Sequence, residues 1–266
     1  MTTIAAFALV ITVLVFVHEL GHFLAARWCG VPVEVFSIGF GPSVLSVRRG
    51  GVEYRLSAIP FGGYVKMAGA SPARGEAIPG GFDSKAPWQR FVILLAGPAM
   101  NVVFALMLAI VALWAGIEVP AQQNGVATTT IYRPAPLEAF PLGVKVIAES
   151  SAQILSTLGG LATGDISPRH LIGPVGLAQI AGESSQLGWR ALLAAMAFIS
   201  LNLGICNLLP IPILDGGHML MLVVEGITRR SMSFRVRKAL LGAGAVAMLA
   251  LLATTLFNDL GRIGLF

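Results

Sequence analysis

The chain is poor in charge. Charged residues make up 12% of its 266 positions, against roughly 25% in a soluble domain. That shortage excludes an ordinary water-soluble enzyme. With 56% hydrophobic residues and a mean hydropathy of +0.81, the composition is that of an integral membrane protein. Cysteine is scarce as well. Cys29 and Cys206 make no disulfide framework and read as small buried residues near segment ends on one side of the membrane. No basic stretch precedes the first apolar run, which is too long for a cleaved leader, so it reads as retained. Basic residues are few, and the net charge of +5 does not call for nucleic acid. Such residues beside membrane segments set topology and meet anionic lipid.

What is present in quantity is apolar sequence. A spanning helix needs about 20 apolar residues, and four segments qualify, near 4–26, 91–117, 189–209 and 238–257. The first connection carries Arg27, Arg48, Arg49, Arg55, Lys66, Arg74, Lys85 and Arg90, and the third carries Arg229, Arg230, Arg235, Arg237 and Lys238. The second holds only Arg133, Lys145 and Arg169, with Arg190 at its edge. The positive-inside rule therefore puts both termini outside and the first and third connections in the cytoplasm.

The first apolar segment contains His18-Glu19-Leu20-Gly21-His22. Residues four apart share a helix face, so His18 and His22 can turn two imidazoles to one metal ion. Glu19 stands beside them and can take a proton from an activated water. Ionisable residues at this depth are costly, which favours a functional reading over two histidines and a glutamate satisfied by neighbouring helices.

After this helix the pattern changes to strand. Val33, Val35 and Val44 to Val47, Glu53 to Ile59, and Gly62 to Met67 read as strands, with turns at Gly39-Phe40-Gly41-Pro42 and Arg49-Gly50-Gly51-Val52. Two readings stay open: a plain cytoplasmic hairpin, or a sheet dipping toward the metal site. In the second, Gly62, Gly63, Tyr64 and Val65 would offer an edge that an extended substrate joins. Residues 69–87 read as a loop. The second segment opens with Ala96-Gly97-Pro98, a kink signal, and contains Asn101, whose need for a partner is met by interhelical packing or by bracing the metal helix.

Residues 118–136 read as an irregular polar linker. Leu137 to Leu161 reads as an amphipathic helix lying at the bilayer interface, ending near Gly159-Gly160. The third segment runs into Asn207-Leu208-Leu209-Pro210-Ile211-Pro212-Ile213-Leu214-Asp215-Gly216. Two prolines so close break the helix, and the chain is expected to be extended there. Unwound backbone at membrane depth must line a cavity or be buried in protein. Asp215 is thus the candidate third metal ligand, or the cap of a helix from about Gly216 to Gly226, or both. His18 lies roughly 22 Å down the first helix from the outer face and Asn207 roughly 27 Å below Trp189, at 1.5 Å per residue, so both motifs reach one level near the cytoplasm.

Taken together, His18-Glu19-x-x-His22, Gly39-Phe40-Gly41-Pro42, Gly62-Gly63-Tyr64-Val65-Lys66-Met67, Ala96-Gly97-Pro98 with Asn101, Gly173-Pro174-Val175-Gly176 and Asn207-x-x-Pro210-x-Pro212-x-x-Asp215-Gly216 resemble the site-2 proteases of the bacterial RseP type. The resemblance covers about residues 1–118 and 137–266. It implies Zn2+ held by His18, His22 and Asp215, Glu19 as general base, Asn207 on the substrate strand or developing oxyanion, and a membrane-reentrant β element. It also implies that the partners are single-pass transmembrane proteins, such as anti-sigma factors or signal-peptide remnants, cut within a bacterial inner membrane.

One departure is large. RseP-type proteases carry PDZ domains of about 90 residues in the second connection, where residues 119–136 are far too short for one. Such a domain is either naturally absent or has been removed. The expected fold is mainly α, with about four transmembrane helices and a small membrane-associated β-sheet after the first. Its parts are a first half of the core at 1–118, a short external linker at 119–136, and an interfacial helix with the second half of the core at 137–266. Two other classes stay in view. A noncatalytic scaffold keeping the motif for structure would show no turnover. An ion or metal transporter would need ionisable residues across the bilayer, whereas here they cluster at one level.

Overall fold

The computed structural model describes residues 2–70, 78–123, 126–230 and 232–262. Four of its helices are long and apolar enough to cross a bilayer: α1 (Thr3–Trp28), α2 (Pro87–Ala115), α5 (Trp189–Asn207) and α7 (Phe234–Arg262). They match the four expected segments apart from a few residues at the ends. In lipid nothing else can bond the backbone, so an apolar run of this length closes its hydrogen bonds internally as helix. Shorter or more polar helices are α3 (Pro136–Thr163), α4 (Pro174–Leu187) and α6 (Asp215–Thr228). The chain is thus a mainly α, multi-pass membrane protein with a small sheet after its first helix.

Tryptophans mark both ends of the bundle. Trp28 and Trp88 meet edge to face at one end, with centroids 6.5 Å apart, while Trp114 and Trp189 share a cleft with Arg133 at the other. Trp88 and Trp114 are about 39 Å apart along α2 at 1.5 Å per residue, close to the thickness of a bilayer with its headgroups. Two of the buried apolar clusters flank the level of the histidines. Val10, Leu14, Leu108, Met196 and Ile199 belong to one, and Ala26, Val31, Phe36, Val52 and Ile93 to the other. The metal motif lies between them. At that level α1 and α2 cross closely, since a Cβ on Gly21 would overlap the carbonyl oxygen of Ala96. Small residues at such crossings let backbones approach where no hydrophobic driving force separates helix from lipid.

The sheet is built from two long bent strands, β1 (Val33–Arg49) and β2 (Val52–Met67). The expected turn at Gly39-Phe40-Gly41 is a bend within β1, where Gly39 and Gly41 take φ of +87° and +86°, and β2 bends at Gly62 with φ of +120°. These angles suit glycine alone. Bending lets Val35 to Ile38 be flanked twice, by Lys66 to Gly63 on one side and by Glu53 to Leu56 on the other, while Ser43 to Arg49 closes the antiparallel hairpin with Ser57 to Val52. The row 63–67 is therefore outermost, and among the described residues no further strand pairs with it. The sheet leans on α1. Phe36 meets Phe16 and Phe23 edge to face at 5.8 and 5.4 Å, and Gly63 sits against Val15 and Glu19. Of the two readings left open, the sheet rising to the metal motif is the observed one.

Three further expectations are corrected. Within the expected irregular linker, β3 (Ile117–Gln123) and β4 (Val126–Tyr132) pair as an antiparallel hairpin. The β-branched run Thr128-Thr129-Thr130-Ile131 favours strand, and its polarity masked this. Helix α3 continues past Gly159-Gly160 to Thr163. Part of its apolar face meets two helices, with Gly143 on Ile110 of α2 and Ile154 packed with Ala105 and Leu201, while Val146 and Leu155 stay exposed. Finally, residues 208–214 are not extended. They fold as tight turns, with the Ile211 N–H bonding Leu209 C=O at 2.7 Å and the Leu214 N–H bonding Ile211 C=O at 2.8 Å. The turns press on the start of α6, where a Cβ on Gly216 or Gly217 would overlap the Leu208 or Ile211 carbonyl.

Helix α7 is held at its two ends. The Asp259 carboxylate accepts from the N–H groups of Gly173, Val175 and Gly176 at 3.0–3.1 Å, capping the start of α4. At the other end Arg237 pairs with Glu225 at 3.0 Å, and Arg90 reaches Asp83 and Glu225 at 3.4 and 3.7 Å.

Candidate active site

One helical turn separates His18 from His22, and the turns at 208–214 deliver Asp215 between them. Asp215 is not a cap. The N-cap of α6 is Leu214, and Asp215 occupies the first helical position, which frees its carboxylate. Asp215 Oδ2 lies 3.1 Å from His18 Nε2 and 3.4 Å from His22 Nε2, and the two Nε2 atoms are 3.1 Å apart. Four-coordinate zinc with bonds of about 2.0–2.1 Å separates neighbouring ligand atoms by roughly 3.3–3.4 Å. The triangle fits one face of that tetrahedron. Two neutral imidazoles and a carboxylate are also a donor set suited to Zn2+. Among the described residues this is the group that could hold a metal ion.

The rings are held from α2. His22 Nδ1 lies 2.8 Å from the carbonyl oxygen of Ile93, and His18 Nδ1 lies 3.1 Å from the amide of Asn101. Asn101 is fully buried, and its backbone carbonyl accepts from Ser200 of α5 at 2.9 Å. Between those two contacts, Gly97 leaves room for the His22 ring. The sequence left Asn101 between packing and bracing, and its side chain braces. Gly97 read only as part of a kink signal, not as room for a histidine ring, and the Ile93 carbonyl was not singled out. The spacing of 93, 97 and 101 along one helix face was the available signal.

Glu19 is half-buried beside the triangle. Its side chain touches Gly63, and its carboxylate faces the Val65 backbone N–H. The outward side of the outermost sheet row is therefore turned to the metal motif. Tyr64 stacks on Phe40 with ring centroids 6.3 Å apart, and Gly62 makes the bend that leads into the row. Asn207 ends α5, directly before the turns that carry Asp215. His218 does not join the triangle. It lines a small cavity with Arg90, Glu225 and Arg237, and burial pushes its imidazole below the ordinary value.

A helical bundle that spans a membrane and converges two histidines, an aspartate and a glutamate at one interior level belongs to the class of membrane-embedded metallohydrolases. Sequence comparison narrows that class. Residues 6–251 match peptidase family M50. A Campylobacter jejuni protein named as a zinc metalloprotease is 30% identical over 346 aligned residues, covering 97% of this chain and 93% of that one. Proteins of Mesorhizobium japonicum and Fusobacterium nucleatum with the same kind of name are 29% and 28% identical, covering 97% and 94% of this chain and 98% and 96% of theirs. The chain belongs to peptidase family M50, the site-2 protease family, and is a zinc-dependent protease.

Proposed function

We propose that this protease hydrolyses a peptide bond within or near the transmembrane segment of single-pass membrane proteins, with zinc held by His18, His22 and Asp215. The observation that carries this reading is the ligand triangle, set beside Glu19 and inside the span of α1. Zinc bound there supplies Lewis acidity to the attacking water and to the scissile carbonyl. Glu19 takes a proton from that water as its oxygen bonds to the carbonyl carbon. When the C–N bond breaks, Glu19 returns the proton to the leaving amine.

The substrate helix must unwind first, because a helical carbonyl is already hydrogen-bonded. The outer side of the 63–67 row is where replacement bonds are available. An added strand would join this edge, with Gly62 and Gly63 allowing close approach and Tyr64 and Val65 completing the row. Asn207, next to the Asp215 turns, holds the same strand or the developing oxyanion from the other side. Membrane lipid surrounds the bundle.

The distribution of lysine and arginine supports outer termini, with the Trp28–Trp88 end facing the cytoplasm. The bacterial relatives support an inner-membrane setting. In this reading the core is divided at 119–136, where a short external hairpin stands in place of PDZ. The 346-residue alignment, longer than this 266-residue chain, accords with relatives carrying a segment absent here.

The test is cleavage of a panel of single-pass helices by the purified chain in liposomes. Cleavage should stop with chelator and return with zinc. A panel left intact by zinc-loaded protein, with soluble unfolded peptides cut instead, would refute the intramembrane reading.

A further inference from the structure

We infer that Asn101 is a positioning residue whose amide oxygen accepts a hydrogen bond from His18 Nδ1–H, and so fixes the tautomer in which the Nε2 lone pair faces the metal. This rests on the metal centre proposed above and names what holds it. His22 shows the pattern required. Its Nδ1 is 2.8 Å from the Ile93 carbonyl, which can only accept, so the proton sits on Nδ1 and Nε2 presents a lone pair. The same face of α2 meets His18 two turns further on, where the Asn101 amide is placed with its nitrogen, Nδ2, 3.1 Å from Nδ1.

An amide can face a ring with either end, and the two ends are isosteric. With the nitrogen toward the ring, Nδ1 becomes an acceptor. The ring proton is then forced onto Nε2, into the centre of a triangle whose atoms are 3.1–3.4 Å apart. That orientation also leaves Asn101 Oδ1 without a partner in a residue with no solvent exposure. Turning the amide gives this oxygen the ring N–H and returns the Nε2 lone pair to the centre. Asn101 is well anchored for the task. Ser200 donates to its backbone carbonyl at 2.9 Å, and a Cβ on Gly204 would lie only 3.3 Å from the Asn101 Cβ. Helix α2 thus offers both histidines an acceptor, one from backbone and one from side chain. Outer-shell acceptors of this kind set ring orientation and ligand basicity.

The experiment is zinc affinity of the full purified chain, read by competition with a fluorescent chelator and zinc alone as probe. Asn101→Leu should bind zinc roughly 10- to 100-fold more weakly. Asn101→Asp, which keeps an acceptor in place, should stay within a few-fold of wild type. Leucine at wild-type affinity, or aspartate as weak as leucine in a folded protein, overturns the inference. If either variant does not fold, ¹⁵N-histidine NMR of the zinc-loaded wild type decides. Zinc on Nε2 of His18 with a slowly exchanging Nδ1–H supports the assignment, and zinc on Nδ1 overturns it. The underlying reading fails separately: a His18→Ala variant that binds zinc as tightly as wild type removes the centre itself.

Discussion

Replacing Gly97 by alanine should disable the site without touching any proposed ligand or the general base. A Cβ at position 97 would lie 2.6 Å from Cε1 and 2.8 Å from Cδ2 of the His22 ring. Ordinary carbon contacts are about 3.5–4.0 Å, so ring and helix must separate by roughly 1 Å. Metal ligands tolerate about 0.2 Å. The ring cannot swing freely, because its Nδ1 is tied to Ile93 on the same helix, and α1 cannot withdraw while Gly21 packs on Ala96. Overpacking of this kind costs about 1–3 kcal/mol, which at 1.4 kcal/mol per factor of ten corresponds to a weakening of zinc binding of roughly 5- to 150-fold. A misplacement of about 1 Å lowers turnover by roughly 100-fold in its own right. The assay is chelator competition alongside single-turnover cleavage of a transmembrane substrate. Gly226→Ala is the control, since no heavy atom lies within 4 Å of its added carbon, and it should leave both readings unchanged. Wild-type zinc affinity and turnover in Gly97→Ala would refute the α1–α2 geometry. An equal loss in Gly226→Ala would show that the effect is not local.

Glu19→Gln should keep zinc bound while cleavage falls by roughly 10²- to 10⁴-fold, because the amide keeps the shape but cannot take the proton. Wild-type turnover in that variant would remove Glu19 from the chemistry. Asp215→Ala should lower zinc occupancy together with activity, measured by metal analysis after dialysis, and full occupancy would exclude Asp215 as a ligand. Val65→Pro removes the N–H that faces Glu19 and should reduce cleavage strongly with zinc retained, whereas Val65→Ala should do much less. Equal cleavage by the proline variant and wild type would mean that substrate does not add to this strand.

How much of this was legible in the chain depends on the reach of each interaction. The four spanning helices follow from runs of apolar residues, and the pairing of His18 with His22 follows from 3.6 residues per turn. Both are local rules, and the sequence alone determined them. Asp215 was nearly as legible, because the prolines at 210 and 212 must break the helix before it, although the break folds into turns where extension was expected. What the tertiary structure decided is long-range. Asn101 is 83 residues from the His18 it braces, and Ile93 is 71 from His22. No local pattern says that a buried asparagine meets a metal helix rather than any other helix. The bends at Gly39, Gly41 and Gly62 were readable as glycines but not as the fold that lays the last sheet row against Glu19. For α3, amphipathicity specified an apolar face but not its partner, since α2, α5 and a lipid interface all present apolar surface. Which residues of that face meet α2 and α5 is set by shape, through Gly143 on Ile110 and Ile154 beside Leu201, and shape complementarity exists only once both surfaces have folded.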